Sequence, residues 1–266
     1  MDPLLILMLL AMGAFGGFAA GLLGIGGGMI LVPFITMVLT ARGVPETLVV
    51  HMAIATSLAT IMFTSLSSVR AHHRHGAVLW RVVQLLAPGI VAGSMIGPWI
   101  GKQMDASTLA WFFGAFVAFS ATQMLVNKKP AAARDLPGTG GMFAAGGLIG
   151  TLAGLVGAGG GFVSVPFMTW CGVRIHHAVA TSAALGFPIA LAGTVANVFY
   201  GWGEPGLPDY SLGFVYMPAL LIIVAASVAT APLGARTAHK MPVRRLQKVF
   251  AVILYALAAY MFWRAA

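Results

Sequence analysis

The sequence predicts an all-α polytopic membrane protein made of two inverted-topology repeats. Each repeat is a glycine-broken helical hairpin plus three transmembrane helices, giving roughly eight to ten segments near membrane length. Three observations predict this. Apolar residues make up 59% of the 266 residues and charged residues 8%, with a mean hydropathy of +0.94; soluble domains carry about 25% charged residues. A glycine-rich motif occurs twice, as GLLGIGGGMILVPF at 21–34 and GLVGAGGGFVSVPF at 154–167. Basic residues crowd into alternate loops, as the positive-inside rule requires.

The first half holds apolar segments at 3–23, 28–40, 47–69, 82–100 and 107–126. The run at 4–20 lacks a basic n-region, because Met1-Asp2-Pro3 precedes it, so it reads as a retained membrane segment. The glycine triplet then interrupts the chain. The segment after it would make a helix of roughly 20 Å at 1.5 Å per residue, short of the ~30 Å hydrocarbon core. The second half repeats the order at 141–157, 161–172, 177–200, 212–233 and 246–264. Between the halves, NKKPAAARDLPG at 127–138 has a linker's charge and Pro/Gly content. The expected division is therefore a first repeat at 1–126, a cytoplasmic linker at 127–140 and a second repeat at 141–266.

Further landmarks keep the same order in both halves, the mark of a duplication. Ala55-Thr56-Ser57 matches Ala180-Thr181-Ser182, and His51 and His176 precede them at equal spacing. His72 falls opposite Asn197, Gly76 opposite Gly201, Pro98 opposite Pro232, and Met104 and Leu109 opposite Met241 and Leu246. If each broken stretch folds back as a hairpin, Arg70, Arg74, Arg81, Lys128, Lys129, Arg134, Arg174, Arg236, Lys240, Arg244, Arg245 and Lys248 lie inside. Only Arg42, Lys102 and Arg264 then lie outside. A single crossing per stretch would destroy that asymmetry. The hairpin gives each half an odd number of crossings, so the halves invert and both termini face outward, toward the periplasm. Inverted repeats are common in secondary transporters.

The paired G-x-G-G-G-x(4)-P-F motifs, each followed by Ala-Thr-Ser, resemble the TauE/SafE family of membrane proteins over almost the whole chain. The HHRHG run at 72–76 fits the same family's pattern. The resemblance implies transport, usually outward, of sulfur-containing anions such as sulfite, sulfoacetate or other organosulfonates across a bacterial-type cell inner membrane. Sulfate, thiosulfate or a carboxylate is the alternative cargo.

The strongest candidate site residues are Gly26, Gly27, Gly28 and Gly159, Gly160, Gly161. A half-helix starting after such a triplet points free N–H groups and its positive dipole end at the break, which suits an anion without any charged side chain. Close helix packing is the competing reading; two triplets in register favour the ligand. Neither triplet ends in the Gly-Lys-Ser/Thr of a nucleotide loop. Thr56, Ser57, Thr181 and Ser182 could donate hydroxyls to the same anion, against a reading as helix caps or interhelical contacts. His72 and Asn197 occupy equivalent positions late in the third segments and could face a central path. His73 and His75 read as solvated loop residues, His51 and His176 as interfacial caps or gates, and Trp80, Trp99, Trp202 and Trp263 as interfacial anchors.

Asp2, Glu46, Asp105, Asp135, Glu204 and Asp209 all fall in expected loops or at the terminus, so no carboxylate is offered for proton coupling within a span. No metal-ligand spacing or nucleophile–base constellation is visible around Cys171 or Ser164. An intramembrane enzyme is therefore disfavoured; so are a structural subunit, which would show spans without internal repeats or broken helices, and a cation channel, which would use acidic rings or carbonyl filters. The expected partners are a small anion and the lipid bilayer, with a homo-oligomer left open. No cofactor and no nucleic acid are called for, since the net charge of +9 follows from the inside-loop bias.

Overall fold

The computed structural model describes residues 3–24, 27–126, 135–240 and 243–266, with side chains at 23 and 239–247 left out. Gly26 of the first triplet, Asp2, Met241 and the linker stretch 127–134, with Lys128, Lys129 and Arg134, fall outside the described residues. The elements run α1 Pro3–Leu23, α2 Gly28–Ala41, α3 Glu46–Arg74, α4 Trp80–Gln103, α5 Ala106–Val126, α6 Thr139–Val156, α7 Gly161–Trp170 and α8 Ile175–Tyr200. A two-stranded hairpin follows, β1 Ser211–Leu212 and β2 Val215–Tyr216, and then α9 Met217–Lys240 and α10 Val243–Ala265. Among the described residues, eight helices are long and apolar enough to cross a membrane. The molecule is an all-α multi-pass membrane protein.

The remaining two helices are short because of what precedes them. Gly24 and Gly27 take φ of +67° and +75°, and their counterparts Gly157 and Gly160 take +70° and +74°. These left-handed values suit glycine; Gly24 and Gly157 end the helix before each break, and Gly27 and Gly160 cap the helix after it. After the break α2 runs for 14 residues and α7 for 10, about 21 Å and 15 Å at 1.5 Å per residue. Neither matches the ~30 Å hydrocarbon core. The chain folds back at each break. A Cβ on Gly16 of α1 would lie 3.0 Å from Leu31 of α2, and one on Gly160 would lie 3.2 Å from Ile149 of α6.

Packing uses small residues where backbones meet. Gly13, Gly17 and Gly21 lay α1 against the backbone of Ile223, Ser227 and Ala231 on α9. Gly89, Gly93 and Gly97 do the same for α4 against Phe143, Gly147 and Thr151 on α6. A four-residue spacing of small residues puts them on one helix face and lets dispersion contacts hold helices together where lipid offers no hydrophobic drive. α5 pairs with α10, where Thr122 and Tyr255 share a 2.6 Å hydrogen bond. At the centre, α3 is 78% buried in its most apolar stretch and α8 67%, against 33–44% for the other long helices. The four expected anchor tryptophans, Trp80, Trp99, Trp202 and Trp263, are all exposed.

Polar contacts sort into two ends. Glu46 at the start of α3 lies 3.9 Å from Arg264 at the end of α10. Lys102 at the end of α4 meets Glu204 at 3.4 Å and donates to the Tyr200 carbonyl at the end of α8. At the opposite end, His177 at the start of α8 binds the Ala77 carbonyl just after α3 and meets Arg174 at 3.1 Å. α3 and α8 therefore run antiparallel. Arg42, Lys102 and Arg264 belong to the first end, while Arg70, Arg74, Arg81 and Arg174 belong to the second.

Two details depart from the expected segments. α3 continues to Arg74, so His73 is helical rather than in a loop, and His72 lies in the third helix as expected. His72 is 1% exposed, while His73 is exposed and accepts a hydrogen bond from the Trp80 indole at 3.2 Å. α9 begins at Met217, because 211–216 form the small hairpin instead of extending the helix.

Candidate functional site

The two glycine breaks meet at the centre of the molecule. A Cβ on Gly28, the first residue of α2, would run into the Gly157 carbonyl of the other break. One on Gly24 would come within 2.5 Å of the Val179 carbonyl on α8, and one on Gly157 within 3.1 Å of Ile54 on α3. Gly27, Gly28, Gly159, Gly160 and Gly161 are all buried. The N-cap residues Gly27 and Gly160 carry no side chain to satisfy the first amides of α2 and α7. Each helix start thus presents N–H groups and a partial positive charge toward the same central region.

The Ala-Thr-Ser tripeptides cross between the halves. Ser57 Oγ donates to the Gly157 carbonyl at 3.0 Å, and its counterpart Ser182 Oγ donates to the Gly24 carbonyl at 2.9 Å. Thr56 accepts from the Tyr216 N–H at 3.0 Å, and Thr181 accepts from the Leu79 N–H at 3.0 Å. Each serine thus satisfies a carbonyl freed where the opposite half's helix breaks. Each threonine satisfies an N–H at the entry to the opposite half's fourth helix. These four side chains are fully buried, where an unmet polar group would cost about 1–3 kcal/mol. Ser164 adds a further link, donating to Ser182 Oγ at 2.8 Å.

His72 and Asn197 behave differently from each other. His72 Nε2 lies 3.0 Å from the Gly21 carbonyl, on the last turn of α1 before the break. A carbonyl only accepts, so Nε2 carries the proton. Asn197 is 5% exposed and its amide donates to Gly193 on its own helix at 2.8 Å. His51 ties α3 to the end of α4 through the Gly101 carbonyl at 3.0 Å. His176 is exposed, and the neighbouring His177 makes the contact at the corresponding helix start.

Sequence reasoning passed over a row of hydroxyls on α3. Thr60, Thr64, Ser65 and Ser68 are all buried between Ser57 and His72. The signal was present as small polar residues recurring every three or four positions on an otherwise apolar helix. Ser65 and Ser68 join Ala20, Gly24, Ser182 and Gly186 around a narrow pocket with room for about one water. Among the described residues no carboxylate is buried and no group of side chains is arranged to hold a metal ion.

Eight membrane-length helices among the described residues, around two facing helix breaks, define a class, the all-α polytopic membrane proteins. The chain belongs to the sulfite exporter TauE/SafE family, whose model matches residues 9–261. A probable membrane transporter protein of Haemophilus influenzae is 40% identical over 97% of this chain and 98% of its own length. Probable membrane transporter proteins of Methanocaldococcus jannaschii and Bacillus subtilis (YunE) are each 26% identical. They cover 97% and 93% of this chain and 96% and 93% of their own lengths. No solved structure matches the chain.

Proposed function

We propose that this protein is a secondary transporter of the cell inner membrane that exports a small sulfur-containing anion such as sulfite, sulfoacetate or a related organosulfonate. The observation that carries the reading is the meeting of two helix starts, each capped by a left-handed glycine, in a buried centre where no carboxylate lies among the described residues. Helix N-termini favour anions through exposed amides and dipole, and a neutral site can release its cargo more readily than a fixed cation would. The anion is held by the amides of Gly26–Gly28 and Gly159–Gly161, with Thr56, Ser57, Thr181 and Ser182 bracing the breaks. His72 and Asn197 lie toward the two ends of the path.

The two halves, 1–126 and 141–266, act as inverted repeats around this centre, joined by the linker at 127–140. The antiparallel course of α3 and α8 supports that reading, as does the exchanged pairing of α1 with α9 and α4 with α6. The arginine-rich end faces the cytoplasm by the positive-inside rule, which puts both termini outside. A second reading, transport of sulfate, thiosulfate or a carboxylate, is favoured by the donor set itself, since amides and hydroxyls recognise oxyanions without selecting sulfur. Titrating the purified protein with sulfite, sulfoacetate, taurine, sulfate, thiosulfate and acetate, with thermal stability as readout, separates the two. Stabilisation by sulfite or sulfoacetate alone supports the first reading, and stabilisation by sulfate or acetate alone replaces it with the second.

A further inference from the structure

The repeat predicts matching residues on α3 and α8, yet the hydroxyl row exists on α3 alone. Opposite Thr60, Thr64, Ser65 and Ser68 stand Leu185, Ile189, Ala190 and Gly193. Two structural needs could explain buried hydroxyls on a membrane helix, back-bonding to the preceding turn and bonding to a neighbouring helix. Thr60 and Thr64 meet the first, donating to Thr56 and Thr60 carbonyls at 2.9 and 3.0 Å, and Thr64 also meets Ser227 at 2.9 Å. Ser68 meets neither. Its Oγ is buried, 2% of the residue is exposed, and no hydrogen-bond partner reaches it. Ser65 is held only by a 3.1 Å bond to the carbonyl three residues earlier. Both line the pocket that opens beside Gly24 at the first break, across from Ser182.

A buried hydroxyl without a partner is unfavourable unless something in the working cycle supplies one. Resting on the anion-transport reading above, we infer that Ser65 and Ser68 form an oxyanion subsite on the α3 side of the glycine breaks, across from Ser182, whose own proton is held by the Gly24 carbonyl. This subsite takes the anion between the Arg70–Arg74 end of α3 and the central amides, and the equivalent positions on α8, Ala190 and Gly193, carry no hydroxyl. Its donors are neutral hydroxyls, which fit a compact oxyanion with several oxygens and a single charge, such as hydrogensulfite or a small sulfonate. The pocket is too narrow for such an anion in this conformation, so the subsite fills when α1 and α8 move apart at Ala20 and Gly186. Gly186 suits that movement, since a Cβ there would already press Ser65 at 3.3 Å.

The test uses the full chain reconstituted in liposomes, with sulfite and sulfoacetate as probes. Ser68→Ala and Ser65→Ala are compared with Ser120→Ala, which removes a buried hydroxyl remote from the pocket and bonded to its own helix at 2.8 Å. A hydrogen bond to a charged group is lost, so half-saturation should rise about tenfold or more for Ser68→Ala. Thermal stability without ligand should stay level or increase, because the hydroxyl removed has no partner. In a Cys171→Ser background, Ser68→Cys should react with an anionic methanethiosulfonate from the Arg70–Arg74 face, and sulfoacetate, which does not attack the reagent as sulfite does, should protect it. Wild-type flux and half-saturation in both alanine variants, with the parent protein moving the probes, would overturn the subsite and leave the transport reading intact. Reaction of the cysteine from the opposite face alone would also overturn it. A wild-type protein that moves none of the probes overturns both.

Discussion

The hydroxyls of Ser57 and Ser182 show how a membrane interior tolerates two broken helices. Each break frees a carbonyl that lipid cannot satisfy, and a serine from the opposite half meets it. Ser57→Ala and Ser182→Ala should therefore each destabilise the protein by about 1–3 kcal/mol, Ser182→Ala the more because it also strands the buried Ser164 hydroxyl, measured as thermal unfolding in detergent. An effect confined to one serine would mean that the breaks are not held alike. Gly27 and Gly160 are a different case. A Cβ on Gly27 would lie 2.6 Å from the Gly16 carbonyl, and one on Gly160 would lie 2.5 Å from Ile189. Both residues also sit at positive φ. Gly27→Ala and Gly160→Ala should thus destabilise the fold by about 1 kcal/mol or more through strain alone, measured by the same thermal unfolding. The glycine triplets, the tripeptides and the His72–Asn197 pairing were legible because duplication marks them twice. Their partners were not, since Ser57 and Gly157 meet only through the tertiary fold. Ser65 and Ser68 escaped notice for the opposite reason, having no echo in the second half.

Segment by segment, hydropathy places the helices well and misjudges their ends where polar residues turn inward. α3 runs on through Ser68 and His72 to Arg74 because those side chains find burial against α1 rather than solvent. The apolar run from Leu212 hides the turn at 213–214 before α9, since a two-residue strand has too little sequence to show a period. The glycine stripes make a firm prediction at this scale. Gly17→Leu and Gly93→Leu would drive side chains into the α9 and α6 backbones, so both should sharply lower stability or prevent folding. Gly140→Ala, with open space around it at the start of α6, should be neutral or stabilise by up to about 1 kcal/mol. Comparing expression and thermal stability of the three variants checks this. Asp105 offers a smaller, pH-dependent effect that the sequence did not signal. It accepts from the Thr108 amide at 2.9 Å and hydroxyl at 2.7 Å at the start of α5, and the Thr108 amide bond leads in holding its carboxyl below the ordinary value. A depressed pKa contributes stability that is present above the unfolded carboxylate's range and lost as pH falls through the folded value. Wild type should therefore lose part of its stability margin over Asp105→Ala as pH drops below about 4, while at neutral pH the margin is constant.

At the scale of the whole molecule, residues before and after the linker exchange contacts at both breaks, Ser57 with Gly157 and Ser182 with Gly24. Rocking one half against the other would strain the Ser57 and Ser182 bonds together, a direct way to couple both breaks to one movement. The central claim is that this movement carries an anion and that no carboxylate-bound proton travels with it, since among the described residues none is buried. An inside-negative potential then drives export, contributing about 2.3 kcal/mol per 100 mV for each negative charge moved outward. At roughly 1.4 kcal/mol per tenfold ratio, a monoanion could be held more than tenfold lower inside than outside. Sulfite flux from liposomes carrying the purified protein, under an imposed potential with and without a proton gradient, tests this most directly. The account predicts flux that rises with the potential and persists when the proton gradient is collapsed. Flux that ignores the potential and follows the proton gradient would contradict it, and would move the coupling to His72.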